Sequence, residues 1–401
     1  MTFILEEMQG ILPKRLATGF RPVSTDFVRQ LSGSMVLKRE RTLVGDLFHL
    51  DLPLVLVLIL VCIFGLLILF SAVGRDPDPV LAQSLKMFAG FFIMFSVAQI
   101  PPVFFMRLAP WFFFFSVVLL LITFFYGIEI KGSKRWLKIP GVISFQPSEL
   151  MKLALPIMLA RYLQDRHLPP KARYIFWAII MISIPVMLIG SQPDLGTSVI
   201  LISTGVFVLF VSGISWRLVF GSLAIGFALA PAIWLLMREY QRQRILILLN
   251  PESDALGAGW NIIQSKTAIG SGGIFGKGLF QGTQSNLDFL PETKTDFVLA
   301  VLGEELGFSG VILLLILYSL LIWRGVILAV NAQDTFGRLV SVSIIFTFFV
   351  YVFVNIGMVS GVLPVVGVPL PFVSYGGTSV LTLFAGFGVM MSIQNHRRIS
   401  L

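Results

Sequence analysis

Asp296 is the residue whose position most plainly asks for chemistry. It closes the run Leu287 to Asp296, at the end of a long polar interruption from about Arg238, and an apolar stretch begins directly after it. A carboxylate at that junction stands where a base acting on a lipid-linked polar substrate would be needed. Glu149 and Lys152 open another apolar run, in Gln146-Pro147-Ser148-Glu149-Leu150-Met151-Lys152. Three residues apart, they share a helical face, and they suit a structural ion pair as well as a polar floor beneath a substrate headgroup. Asp194, in Gln192-Pro193-Asp194-Leu195-Gly196-Thr197-Ser198, suits a helix cap as well as a ligand contact. Glu304 and Glu305 follow Asp296 by about two helical turns. Adjacent side chains point to different faces, so at most one of them should share a cavity with Asp296.

Cations gather elsewhere. Residues 128–146 carry Lys131, Lys134, Arg135 and Lys138 against Glu129, a pattern suited to a phosphate or pyrophosphate. Lys266 lies within the long interruption, whose own charges balance at six basic and six acidic residues. Gly270 to Gly278 has the look of a phosphate loop but lacks its chemistry. Ser271 stands at the first-glycine position, and Gly278 follows Lys277 where Ser or Thr is required. It reads instead as a flexible loop whose backbone could approach a ligand closely. Pro364, Gly367, Pro369 and Pro371 precede Ser374-Tyr375-Gly376-Gly377, and such proline density predicts an outer or re-entrant loop. His49, His167 and His396 lie far apart and outside the apolar runs, so the sequence offers neither a Ser-His-Asp set nor a zinc site.

The elements that must position these groups are membrane spans. Apolar residues make up 56% of the 401-residue chain and charged ones 13%, too little charge to cover a soluble surface. Mean hydropathy is +0.89. Runs of spanning length read at 52–73, 84–104, 108–127, 147–164, 173–191, 196–213, 216–237, 297–323, 339–362 and 371–393. They predict an all-α polytopic membrane protein of about ten transmembrane helices. Arg161, Arg166, Lys171, Arg173, Arg324, Arg338 and the basic tails lie on one side. That bias predicts an N-in/C-in orientation, with the large loop of about 238–296, between spans 7 and 8, extracytoplasmic. The basic 128–146 loop then also falls outside, which either marks an anion site or signals a wrong span count.

Residues 1–46 read as a cytoplasmic N-terminal extension without the apolar core of a cleavable signal, and 47–398 as the transmembrane domain. Cys62 is the single cysteine, so no intrachain disulfide is possible. Lys and Arg outnumber the acids 30 to 21, yet no nucleic-acid motif accompanies them and basic loops account for the excess. No internal repeat is evident, which argues against an inverted-repeat transporter.

Together the motifs resemble the SEDS family of cell-wall polymerases (shape, elongation, division and sporulation proteins). The carrying residues are Gly132-Ser133-Lys134-Arg135-Trp136, Gln146 to Lys152, Gln192 to Ser198, Gly259 to Lys266, Phe289 to Asp296, Gly303 to Gly307, and Asn355 to Gly361 through Ser374 to Gly377. Val365 to Pro371 looks more like the elongation branch of the family than its division branch. The resemblance implies polymerisation of lipid II, a disaccharide-pentapeptide on undecaprenyl pyrophosphate, into β-1,4 glycan strands of peptidoglycan. The implied place is the outer face of the bacterial cytoplasmic membrane, during cell elongation. It also matches the family's essential aspartate to Asp296 and gives functional weight to Arg135, Glu149, Lys152, Asp194 and Lys266. The partners it implies are lipid II, the undecaprenyl-pyrophosphate-linked glycan, a class B penicillin-binding protein acting as transpeptidase, and membrane proteins of the elongation complex. Lys294 stands where the family usually has His, so no role carries over at that position. Ser133 replaces a commoner Ala.

The residues suit that chemistry. Asp296 is the candidate general base on the 4-hydroxyl of the acceptor sugar. Lys134, Arg135 and Lys266 are candidates for the donor pyrophosphate, and Glu149, Lys152, Asp194 and Ser374 complete the candidate substrate-binding set. Pyrophosphate is a good leaving group, so one carboxylate with cations suffices where glycoside hydrolases use two. Attack from the opposite face makes the enzyme an inverting one. A divalent cation, Mg or Mn, could share the phosphate load, although the sequence shows no dedicated cage for it. The rival reading is a lipid II flippase, which requires a continuous polar path, whereas a polymerase concentrates polar groups at one face. A non-catalytic scaffold leaves Asp296 without a purpose.

Overall fold

The computed structural model describes residues 50–130, 133–138, 144–215, scattered positions within 218–237, and 239–254, 257–283 and 292–395. The 1–46 extension, most of the expected span at 216–237, and Leu287 to Pro291 lie outside these residues. The membrane-length helices are α1 (Leu52–Ala72), α2 (Pro77–Ala98), α3 (Pro102–Tyr126), α4 (Pro147–Gln164), α5 (Ala172–Ser191) and α6 (Leu195–Val211). The long polar interruption supplies α7 (Glu239–Leu249) and α8 (Ala258–Gly272). Then come α9 (Val298–Glu305), α10 (Gly307–Val330), α11 (Thr335–Val359) and α12 (Thr378–Asn395). Six of them (α1, α2, α3, α5, α10 and α11) are long and apolar enough to cross a bilayer, and the shorter α6 is apolar too. The chain is a multi-pass helical membrane protein.

Aspartates start four of these helices. Asp51, Asp76, Asp194 and Asp334 each accept a hydrogen bond from a backbone N–H in the following turn (Leu54, Asp78, Thr197 and Gly337), satisfying one of the donors a helix start leaves free. The Asp76 cap and Pro77 set the start of α2 earlier than the apolar pattern at 84–104 indicates, because a cap marks the helix and not the lipid boundary. The expected span at 371–393 is shortened for the converse reason. Its first residues belong to the proline loop, and α12 begins only at Thr378.

Burial separates a centre from a rim. In the apolar window of α11, 72% of residues are buried, against 22% in α2, α3 and α5. The rim helices turn aromatic residues outward, including Phe88, Phe92, Trp111, Phe114 and Phe125, as a surface bathed in lipid permits. Helix α1 is pinned to α10 and the α9 end at both of its own ends. Arg324 donates to both carboxylate oxygens of Asp51 (2.9 and 2.7 Å), and Ser71 Oγ donates to Glu305 Oε1 (2.7 Å). Twenty residues separate Asp51 from Ser71, a rise of about 30 Å and so about one hydrocarbon thickness.

Two features depart from the helical expectation. The span expected at 297–323 is broken. Leu306 ends α9, Gly307 adopts φ +65°, and α10 starts afresh. The basic 128–146 segment folds in part as a small antiparallel sheet in the order β1-β2-β3, with β1 (Ile128–Ile130), β2 (Ser133–Lys138) and β3 (Ser144–Phe145). Alternation of side chains along β2 sends Lys134 and Arg135 to opposite faces.

Candidate active site at one end of the bundle

Asp296 lies on the turn of residues 292–297, immediately ahead of α9, and is half-buried. The turn is fastened from several directions. Thr295 Oγ1 donates to Glu292 Oε2 (2.8 Å), and the N–H groups of Thr295 and Phe297 both reach the Glu292 carbonyl. Asn355, fully buried on α11, donates from Nδ2 to the carbonyls of Asp296 (3.0 Å) and Val368 (2.7 Å). One amide therefore ties the aspartate's own backbone to the proline loop, and its Oδ1 is left without a partner. The loop returns the contact, because the N–H of Tyr375 donates to the Lys294 carbonyl at 2.7 Å. Gly367 (φ +72°) faces the carboxylate so closely that a Cβ there would stand 3.5 Å from Asp296 Oδ2.

Residues 361–377 form the hub of this end of the molecule. The expected non-helical segment is confirmed between α11 and α12, and several of its backbone polar groups find partners in neighbouring elements. Ser374 Oγ accepts the N–H of Leu370, and Gln83 on α2 accepts from Gly376 N–H while donating to the Ser374 carbonyl. Tyr318 on α10 donates to the Pro371 carbonyl. Ser374 is 1% exposed, so its side chain serves the loop's own shape.

The basic sheet is joined to the start of α6 through a carboxylate. Arg135 Nη1 lies 3.4 Å from Asp194 Oδ1, and Gln146 Nε2 donates to Asp194 Oδ2 at 2.9 Å. Asp194 thus caps α6 and pairs with Arg135 at once. The Arg135 guanidinium shares its charge with a buried carboxylate, while its Nε is without a hydrogen-bond partner among the described residues. Lys134 is exposed on the other face of β2. Lys266, on α8, is also exposed, and its stem lies against Gly361 at the end of α11.

Glu149, Lys152 and Tyr351 form a sealed cluster about one helical turn deeper. Lys152 Nζ donates to Glu149 Oε1 at 2.7 Å and also to the Tyr351 hydroxyl, which in turn donates to Glu149 Oε2 at 3.3 Å. All three are buried. A small cavity of about 20 Å³ borders the pair, and a second of about 10 Å³ lies against Ser374 and Pro369. Tyr351 and Leu383 line both. Along α11 the polar side chains Ser343, Thr347, Tyr351 and Asn355 recur every four residues and so share one face. Thr347 meets the Thr204 hydroxyl of α6 at 2.9 Å, Tyr351 meets α4, and Asn355 meets the Asp296 turn.

Glu304 and Glu305 take structural partners. Glu304 accepts from Lys277 Nζ, Thr283 N and Thr283 Oγ1, and Glu305 accepts from Ser71. The glycine-rich segment is the other half of this device. Lys277 and Gly278 donate N–H groups to the carbonyls of Glu304 and Glu305, while Phe308 and Ser309 donate to Gly273 and Ile274. The reading of Gly270 to Gly278 as a flexible, ligand-facing loop is corrected. Residues up to Gly272 are helical, and the backbone beyond seals the break between α9 and α10.

Sequence reasoning missed Asn355 and Tyr351 as positioning groups, although polar residues at four-residue spacing inside an apolar run carry that signal. Gln83, alone in its run, left a weaker one. Among the described residues no three or more His, Cys, Asp or Glu side chains converge as an all-protein metal cage would require.

The comparisons with known proteins agree with this geometry. The chain is 48% identical over 355 residues to the peptidoglycan glycosyltransferase MrdB of Escherichia coli, covering 88% of this chain and 96% of that one. Its fold matches a chain from a peptidoglycan synthase complex, described as coordinating polymerisation and crosslinking, at a TM-score of 0.76 and 32% identity, over 86% of this chain and 97% of that chain. It matches the rod shape determining protein RodA of Thermus thermophilus at a TM-score of 0.66 and 30% identity, over 87% and 97%. The family model for the FtsW, RodA and SpoVE cell cycle proteins covers residues 51–399, from the Asp51 cap to the end of α12 and beyond. A match of that extent, with the aspartate turn and the proline loop inside it, places this chain in the FtsW/RodA/SpoVE family.

Proposed function

We propose that this protein is an inverting peptidoglycan glycosyltransferase that polymerises lipid II during cell elongation. The observation that carries this reading is Asp296: a half-buried carboxylate on a turn fastened to two other parts of the fold, with Lys294 beside it. In the reaction, Asp296 takes the proton from the acceptor sugar 4-hydroxyl as that oxygen attacks the anomeric carbon of the donor. The new C–O bond forms on the face opposite the breaking one, and undecaprenyl pyrophosphate leaves with the bonding electrons. The α-linked donor thus becomes a β-1,4 link.

The partners and setting follow from the same reading. The chain lies in the bacterial cytoplasmic membrane, N-in/C-in, with the Asp296 end outside. It works with a class B penicillin-binding protein, which crosslinks the strands, and with other membrane proteins of the elongation complex. A flippase is disfavoured by the Glu149–Lys152–Tyr351 cluster, whose buried polar groups are bonded to one another and not arrayed as a polar track among the described residues.

Proteoliposomes holding the protein and lipid II test the class of function. The reading expects long glycan polymer on a gel, with the partner transpeptidase added where the chain alone is slow. Translocation of labelled lipid II between leaflets with no polymer formed would replace this reading with the flippase.

A further inference from the structure

We propose that Lys86 binds the pyrophosphate of a polyprenyl-linked substrate or product, an inference that rests on the glycosyltransferase reading. Lys86 is half-buried on α2, three residues after Gln83 and therefore on nearly the same helical face. Gln83 is buried and grips the proline loop on either side of Tyr375, through the Ser374 carbonyl and the Gly376 N–H. That double contact fixes the register of α2 against the loop. As a result Lys86 Nζ stands 3.8 Å from the centre of the Tyr375 ring. Tyr375 in turn donates its N–H to the carbonyl of Lys294, two residues from Asp296. Two contacts thus connect the Lys86 ammonium, through Tyr375, to the turn that carries the carboxylate.

Several cations near this end are committed to carboxylates, and Lys86 is not among them. Arg135 pairs with Asp194, Lys152 with Glu149, Lys277 with Glu304 and Arg324 with Asp51. Lys86 faces a ring, and among the described residues it has no carboxylate partner. An ammonium has three N–H donors, and an aromatic face satisfies the charge without consuming them all. The residue also sits at the right depth. From Met87 to Ala98 α2 is almost wholly apolar, so Lys86 marks the level at which the helix enters hydrocarbon. A pyrophosphate whose prenyl chain lies in the bilayer is held at that same level.

Binding of undecaprenyl pyrophosphate to the full chain in nanodiscs tests this without requiring turnover. Lys86→Gln is expected to weaken binding about tenfold, the loss of a charge-assisted contact, and Lys86→Arg to restore most of it. Lys86→Met, which keeps the apolar stem, serves should the Gln variant fold poorly. Equal binding by wild type and Lys86→Gln or Lys86→Met overturns the proposal, as does an Arg variant as weak as the Gln one. In turnover, the expected signature is a raised KM for lipid II with kcat held within about threefold. A lowered kcat with unchanged KM would reduce Lys86 to a clip on Tyr375 and also overturn it. Wild-type protein that forms no polymer would defeat the glycosyltransferase reading alone, because the binding comparison stands apart from it.

Discussion

Two carboxylate-centred sites lie within about one helical turn of depth in this molecule, and they are closed in opposite ways. Glu149 is locked to Lys152 and Tyr351, with every member buried. Asp296 is half-buried, and the fold grips its backbone through Asn355 while Gly367 keeps space beside its side chain. The difference shows where binding and chemistry can occur. A buried charge needs its partners continuously, because removing one leaves the other unpaired in a poorly solvated site. The Asp296 turn is held through its main-chain carbonyls by Asn355 and Tyr375. Residue type alone does not separate the two, but the atoms that are anchored do.

The sharpest way to break the comparison is to remove each charge in turn. Asp296→Ala is expected to lower the rate of glycan synthesis about 10²- to 10⁴-fold, the usual worth of a general base, while the melting temperature in detergent stays near that of wild type. Lys152→Met should behave in the reverse sense, costing about 3–5 kcal/mol of stability in a denaturation series, with activity lost through the fold. The double variant Glu149→Gln/Lys152→Met should recover part of that stability, since no unpaired charge remains. Recovery of nothing would show that the pair holds α4 by geometry and not by charge balance.

Asn355→Ala tests the tether between the two regions. It strips two buried carbonyls of their donor, so a cost of about 1–3 kcal/mol is expected, together with a kcat reduced more than KM is raised. The smallest effect belongs to Lys134, which is exposed on β2. Lys134→Ala should change stability by less than about 0.5 kcal/mol, checked by the same denaturation series.

Much of this arrangement was legible in the sequence. Apolar run length located most helices, and proline density marked 361–377 as non-helical, because both signals are local. Asp296 was legible because a carboxylate at a lipid boundary is costly and so carries information. The break at Gly307 was not, since its cause is the distant segment 273–278 supplying N–H groups to Glu304 and Glu305. The same non-local partnering hid the Arg135–Asp194 contact and gave the two glutamates to Lys277, Thr283 and Ser71. Sequence spacing reports which residues share a face; it does not report which element comes to meet them.

In the proposed mechanism Asp296 contributes proton removal and not fold or affinity. The most direct measurement follows lipid II binding and lipid II polymerisation on a single preparation of Asp296→Asn, which keeps the shape of the side chain and removes its basicity. Binding within about threefold of wild type is expected, with polymer formation lost. Polymer made at the wild-type rate, or a loss of polymer that merely follows a loss of binding, would contradict it.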